Sequence, residues 1–315
     1  MNSFLRHIAR FATLAGGIAA AGTGYMLFES QWLRFQRRQL LVQGLPQELD
    51  GLKLLHVSDL HAGAPGTNDL AIARFVRAAM NADADMILFT GDLTDKQRDL
   101  SPYISRLASL EARYGKFAVL GNHDHGVRKT VLQDLARRFT GRNPFRPFVD
   151  ADPARTVKRN RMLMMEAGIW LMDNECIHVT VGGDRIQICG IDDYQYGYAR
   201  LDRVRQQLDP EAGLRILLSH SPDAVKEAGS DFQLVLAGHT HGGQIRIPYP
   251  GKGKIMLSSS GSEYGEGIYR VNGTTLHVSR GVGTTLVPFR LLTRPEITLL
   301  ELQAGKNQAG SGIMI

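Results

Sequence analysis

Cysteine is nearly absent from this chain: Cys176 and Cys189 are the two among 315 residues. Two thiols cannot build the disulfide scaffold of a small secreted domain, nor a four-thiolate zinc site. Both are read as small buried hydrophobes. Charge of either sign is not dominant, at 22% of residues against 43% hydrophobic. That balance excludes disordered, collagen-like and coiled-coil chains. The sequence also lacks an internal repeat, a twin-arginine pair ahead of its apolar segment, and any recognisable nucleic-acid module. What it has in quantity is glycine, 34 residues, which signals tight turns and close backbone approaches. The length suffices for one large or two small domains with a substantial core.

The net charge is +6, but its distribution says more. Between Gly126 and Arg161 stand ten basic residues and three acidic ones, a local +7 that leaves −1 for the rest. A charge run of this kind is either a solvated face or a surface for phosphate groups on a substrate or anionic lipid. Within it, Arg142-Asn143-Pro144-Phe145-Arg146-Pro147-Phe148 interleaves base, aromatic and proline. That pattern predicts an irregular insertion or lid over 126–161, with Phe145 and Phe148 able to meet an acyl chain. Trp170 is read as core.

Phe11–Phe28 is an uncharged run behind Arg6 and Arg10. Eighteen helical residues reach about 27 Å, close to the ~30 Å hydrocarbon core of a bilayer. A single uncleaved anchor is the favoured reading. A cleaved signal peptide ending near Ala19-Ala20-Ala21 and a buried soluble helix are the alternatives. Flanking arginines on both sides leave the orientation open. The chain then divides into an anchor or signal segment over 1–28, a basic connecting segment over 29–50, a main domain over 51–303, and a flexible tail over 304–315.

From Leu52 onward the pattern becomes regular. KLLHV (53–57), MILFT (86–90) and FAVL (117–120) are short apolar runs, separated by helical spacing over 69–80 and 101–112. Strand–helix alternation of this kind predicts an α/β fold with a parallel sheet. The second half is richer in strands. Ile177–Val181 and Arg185–Cys189 flank Gly182-Gly183, a hairpin signal. LRILL (214–218) and LVLA (234–237) are further buried strands, followed by short ones over 244–302.

The chemistry gathers where these strands end. The runs finish in Asp59-Leu60-His61, in Gly91-Asp92, in Gly121-Asn122-His123-Asp124, at His220, and in Gly238-His239-Thr240-His241. Ligands of open α/β sheets sit at such strand ends. Asp59, Asp92 and Asn122 supply oxygen; His61, His220, His239 and His241 supply imidazole nitrogen. The mixture suits Mn²⁺, Fe²⁺ or Zn²⁺ better than Ca²⁺. Seven donors exceed one tetrahedral ion and fit two that share a carboxylate. Any one of these residues alone would be unremarkable. Five such groups in one chain are not, and they hold five of the ten histidines.

These blocks, in this order, resemble the calcineurin-like metallophosphoesterase superfamily from about Leu52 to Leu302. Ser58-Asp59-Leu60-His61, Leu218-Ser219-His220-Ser221-Pro222-Asp223, Gly238–Ile245 and Val278–Gly283 are similar to its membrane-anchored or exported bacterial phosphodiesterases. Some of those relatives are UDP-diacylglucosamine pyrophosphatases. The resemblance implies a four-layer α/β/β/α sandwich behind an N-terminal hydrophobic helix. It implies two divalent metal ions, with Mn²⁺ favoured. Asp59, His61 and His241 would bind the first, Asn122, His220 and His239 the second, and Asp92 both. His123 would face the leaving-group oxygen, and Asp124 would orient it. Asp95 would start a helix or support the ligands from behind. His56 and His125 match no ligand position.

The expected activity is a metal-dependent phosphodiesterase or pyrophosphatase at a membrane, acting on a phosphoester for which a nucleotide-linked lipid is one candidate. A phosphomonoesterase is the alternative, with a non-catalytic scaffold further behind. A bacterial inner-membrane location with one N-terminal anchor, an exported soluble form as its alternative, a monomeric state and no nucleic-acid partner complete the expectation.

Overall fold

A computed structural model describes residues 2–64, 68–95, 100–126, 153–249, 253–256, 262–285 and 287–305. Residues 127–152, which hold most of the basic insertion with Phe145 and Phe148, lie outside the described residues, as does the tail from 306.

The buried runs become strands of two six-stranded sheets. β2 (Lys53–Val57), β3 (Met86–Thr90), β4 (Lys116–Val119) and β5 (Ile169–Leu171) are parallel neighbours. β14 (Glu296–Ala304) joins β2 antiparallel, and β1 (Arg34–Val42) pairs with β14 to form the edge. The sheet is therefore mixed where the alternation predicted a parallel one. Residues 34–42 fall in the stretch expected to connect anchor and domain. The second sheet runs β12 (Gly267–Val271), β13 (Thr274–Val278), β9 (Leu234–Ala237), β8 (Leu214–Leu218), β7 (Asp184–Gly190), β6 (Glu175–Val181). Its four central strands are parallel and both edges are antiparallel. β10 (Arg246–Tyr249) and β11 (Gly253–Met256) form a separate hairpin.

Side-chain alternation along the strands builds three apolar layers. Leu54, Leu88, Phe117 and Val119 meet Ile186, Ile216, Leu234 and Leu236 between the sheets. Leu55, Ile87 and Phe89, one residue out of step, face the opposite way. They pack on α2 (Asn68–Met80), whose Ala71, Ile72, Phe75, Val76 and Ala79 form one stripe, and on α3 (Ser101–Ala108) and α4 (Pro153–Glu166). Leu217, Val235 and Leu276 face the outer layer of the second sheet, over the short α5 (Leu201–Arg205) and α6 (Val225–Ala228). The result is the four-layer α/β/β/α sandwich. Truncating a leucine in such a layer costs about 2–5 kcal/mol.

Gly182 and Gly183 connect β6 and β7 with φ of 60° and 100°, the two positive values that a two-residue hairpin turn needs. Cys176 and Cys189 are directly opposed in this hairpin and form a disulfide, which corrects the reading of them as free hydrophobes. Trp170 is also corrected: it is 54% exposed, because β5 is an edge strand and alternate residues face outward. Its Nε1 donates to Glu175 Oε1 at 3.2 Å.

The apolar run forms α1 (Asn2–Gln31), a 30-residue helix. Its stretch Arg6–Gln31 is long and apolar enough to cross a membrane, and its apolar window is not buried against the domain.

Candidate metal centre

β2, β3 and β4 point the same way, and so do β8 and β9. Their C-terminal ends therefore share one edge of the sandwich. The loops leaving them are unusual: Asp59, His61, Asp92, His239 and His241 all have φ between 44° and 70°. Left-handed backbone at non-glycine residues is costly and tends to mark functional sites. Here it turns each side chain back over the strand end. Gly238 permits the closest approach, since a Cβ there would overlap Ser58 and the Asp59 carboxylate.

Three overlapping groups of donors result: Asp59, His61 and His241; Asp92, His220 and His239; and His61, Asp92 and His123. In the first, His241 Nε2 lies 3.3 Å from Asp59 Oδ1 and 3.1 Å from His61 Nε2. In the second, His220 Nε2 lies 2.9 Å from His239 Nδ1. Asp92 stands between them, with Oδ2 3.5 Å from His61 Nε2 and 3.2 Å from His220 Nε2. Asn122 follows β4 on the same edge and is buried. The second loop set is stapled to the first, because the His239 N–H donates to both Asp59 oxygens. His220 Nδ1 donates to the Thr90 carbonyl at 2.8 Å, which turns its Nε2 toward Asp92 and His239.

This donor set fits a divalent metal. Imidazole nitrogens and carboxylate oxygens crowd together, almost entirely out of water, close enough for one cation to be shared among them. The electrostatics agree. Burial works against charge on His220, but Asp92, Asp59 and Asp193 around it push it up to about 10. Burial opposes ionisation of Asp92 too, yet His220, His123 and His61 hold it well below the usual carboxylate range. Burial, with His61 and Arg290 nearby, keeps His241 neutral. The pocket thus favours positive charge beside its carboxylates.

His123 sits at the rim of this cluster. Its backbone N–H donates to Asp92 Oδ1 at 2.9 Å. Its Nδ1 meets Asp95 Oδ1 at 3.0 Å, and its Nε2 lies 3.5 Å from Thr285 Oγ1. Asp95 is therefore the carboxylate that orients His123. Asp124, expected in that role, instead accepts from the backbone N–H groups of Leu93, Thr94 and Gly121 and from Thr94 Oγ1. It fastens the β3 loop to the β4 loop. Its carboxylate is two residues past Asn122, where its own turn offers the Gly121 N–H and the facing β3 loop the Leu93 and Thr94 N–H groups, and not an imidazole.

Several neighbours were invisible in sequence. Asp193 is fully buried, and burial pushes its carboxyl up to about 6. Arg290 is fully buried with Nη2 3.4 Å from His241 Nδ1. His125 stacks on Tyr198 and pairs with Asp192 Oδ1 at 2.5 Å. His56 lies between the sheets, Nδ1 to Nδ1 with His277 at 2.8 Å. Only Asp95 had a sequence signal, its three-residue spacing from Asp92.

An α/β/β/α sandwich carrying two His/Asp clusters at its strand ends defines a metal-dependent phosphoester hydrolase. The chain belongs to the calcineurin-like phosphoesterase family, whose model matches residues 52–243. It is 29% identical over 302 residues to YkuE of Bacillus subtilis strain 168, described as an uncharacterized metallophosphoesterase, covering 93% of this chain and 95% of that protein. It is 28% identical over 281 residues to a Bos taurus transmembrane protein with a metallophosphoesterase domain, covering 84% of this chain and 55% of that protein. Among solved structures, the Thermus thermophilus sulfate thiohydrolase SoxB overlays 80% of this chain and 57% of its own, at 14% identity and a TM-score of 0.43. Family and clusters together imply divalent metal ions.

Proposed function

We propose that this chain is a two-metal phosphodiesterase or pyrophosphatase that works at a membrane surface, with Mn²⁺ as its favoured metal. The observation that carries the reading is Asp92, whose carboxylate reaches toward both donor groups at once. Asp59, His61 and His241 would hold one ion, Asn122, His220 and His239 the other, and Asp92 both. Bound divalent ions supply an acidified water and positive charge for the phosphoryl oxygens.

The chain's own residues do the rest. Asp95 accepts the Nδ1 proton of His123, so His123 presents Nε2 to the leaving-group oxygen. A proton delivered there by a positioned imidazole is worth about 10²–10⁴-fold. The Thr285 hydroxyl stands beside Nε2 as a further polar contact for that oxygen. The Asp124 staple keeps the two loops in register while this occurs.

Residues 1–28 serve as the anchor in this reading and 51–303 as the hydrolase domain, with the basic 126–161 stretch meeting an anionic substrate. One exposed helix fit for a bilayer supports the membrane. The Cys176–Cys189 bridge supports a domain in an oxidising compartment, outside the cytosol. The full chain, assayed with Mn²⁺, Zn²⁺ and Fe²⁺ in turn, should hydrolyse bis(p-nitrophenyl) phosphate faster than p-nitrophenyl phosphate. Preference for the monoester would overturn the diesterase assignment, and metal-independent turnover would overturn the mechanism.

A further inference from the structure

The loop between β13 and β14 has two faces, and they serve two different structures. One face lines the metal centre. The Val282 and Gly283 N–H groups donate to the Ser58 and Asp59 carbonyls at 3.0 and 2.7 Å. Thr285 Oγ1 reaches His123, and Arg290 Nη2 reaches His241 Nδ1. The other face grips the exit of α1. The Arg290 N–H donates to the Met26 carbonyl at 3.2 Å, and the Thr293 N–H to Glu29 Oε1 at 2.7 Å. The Arg294 guanidinium lies 3.7 Å above the Trp32 ring, and its Nε donates to the Trp32 carbonyl. Glu29 and Ser30, at the end of an otherwise exposed helix, are 1% exposed. One loop thus clamps the candidate membrane helix on one side and two residues of the metal edge on the other.

Strand register gives the same placement independently. β1 starts directly after α1 with Arg34 opposite Glu296. β14 runs antiparallel to β2 with Thr298 opposite His56. The start of both β1 and β14 therefore lies at the C-terminal end of β2, where Asp59 stands. α1 leaves the domain from the metal edge, not from the far side. Its Arg6–Gln31 stretch reaches about 39 Å at about 1.5 Å per residue, enough for a ~30 Å hydrocarbon core.

The outer surface of the clamp has the composition of a membrane-seated loop. Val287-Pro288-Phe289-Arg290-Leu291-Leu292 contains one charge, and that charge is turned fully inward. Val287, Pro288 and Phe289 are half-buried, and Leu292 is 43% exposed. Leu292 also has φ of 57°, a conformation in which asparagine or glycine would be less strained. An exposed leucine held there gains nothing for the fold.

We infer that the Val287–Leu292 loop seats in the interfacial layer of the bilayer spanned by α1, so that the metal edge opens at the headgroup plane and receives a phosphoester carried by a membrane lipid. This rests on the two-metal hydrolase reading for its chemistry, but not for its geometry.

The full chain, reconstituted in phosphatidylcholine vesicles, separates the two. A Leu292→Cys variant carrying an environment-sensitive fluorophore should be quenched when the vesicles contain brominated lipid. Absence of quenching overturns the seat, whatever the activity. A Leu292→Asn variant should keep or raise the melting temperature. It should hydrolyse vesicle-borne dodecyl p-nitrophenyl phosphate about tenfold more slowly, through the lost apolar contact, while bis(p-nitrophenyl) phosphate in water changes by less than about twofold. Equal loss on both substrates, or no loss on the vesicle-borne one, overturns the lipid substrate. Failure of the unaltered chain to hydrolyse either diester with any metal, alongside clear quenching, would instead remove the hydrolase reading and leave the seat standing.

Discussion

His123 and Asp95 form the pair on which turnover should depend without metal content changing. His123 also shares a donor group with His61 and Asp92, but one of its nitrogens is held by Asp95 and the other faces Thr285. His123→Ala should keep both ions by elemental analysis and lose about 10²–10⁴-fold in kcat. Asp95→Asn should lose less and move the basic limb of the pH–rate profile to lower pH, because the imidazolium of His123 loses its carboxylate partner. An Asp95→Asn enzyme with an unaltered profile would show that the carboxylate is only structural. Asp92 behaves differently. It lies between both groups, so Asp92→Asn should release both ions together; two ions retained per chain would exclude a shared ligand.

At the scale of strands, the contact between the sheets is not wholly apolar. His56 on β2 and His277 on β13 meet at the centre of it, and His56 Nε2 reaches Thr90 Oγ1 at 2.9 Å. Burial keeps both imidazoles neutral: His277 is pushed down to about 3, and His56 also falls well below its ordinary value. Below pH ~6.5 the unfolded chain takes up protons that the folded chain refuses. Stability therefore falls as pH drops from about 6.5 toward 3, by about 1.4 kcal/mol per pH unit for His277, with His56 acting in the same direction. Melting curves in chelator should show His277→Gln losing less on acidification from pH 6 to pH 4 than the unaltered chain; parallel losses would show that this pair does not titrate on unfolding. The Cys176–Cys189 bridge is a weaker constraint on the fold, since it joins residues already opposed in a tight hairpin.

For the whole molecule, the candidate metal edge is where two sheets and the long N-terminal helix are joined. Ions held there would tie β2, β3 and β4 to β8 and β9. A ligand that binds only the folded state adds about 2.7 kcal/mol at a hundred times its dissociation constant. Chelation should therefore lower the melting temperature, and Mn²⁺ should restore it; an unchanged transition would argue against ions bridging the sheets.

Much of this was legible in the chain itself. Strand ends were visible because each buried strand is a short apolar run that stops at a polar group, and a run's length and boundary are local properties. The alternation of β2, β3 and β4 with helices was visible for the same reason. β1 was not: Arg34–Val42 is too basic to read as a strand, and it becomes one only because β14 offers it an edge. The partner of His123 was misplaced: sequence proximity pointed to Asp124, and the structure supplies Asp95. The choice follows from a turn at Gly121 that occupies Asp124 with backbone N–H groups.

The amino-acid order alone marked the candidate donors that the fold gathers, since donor type and position at a strand end are written locally. Tertiary structure decided which donors meet, because residues 180 apart such as His61 and His241 become neighbours only when two sheets align their ends. It also decided that Arg290 is buried and that α1 leaves beside the metals, as both depend on how one long loop folds between two partners distant in sequence.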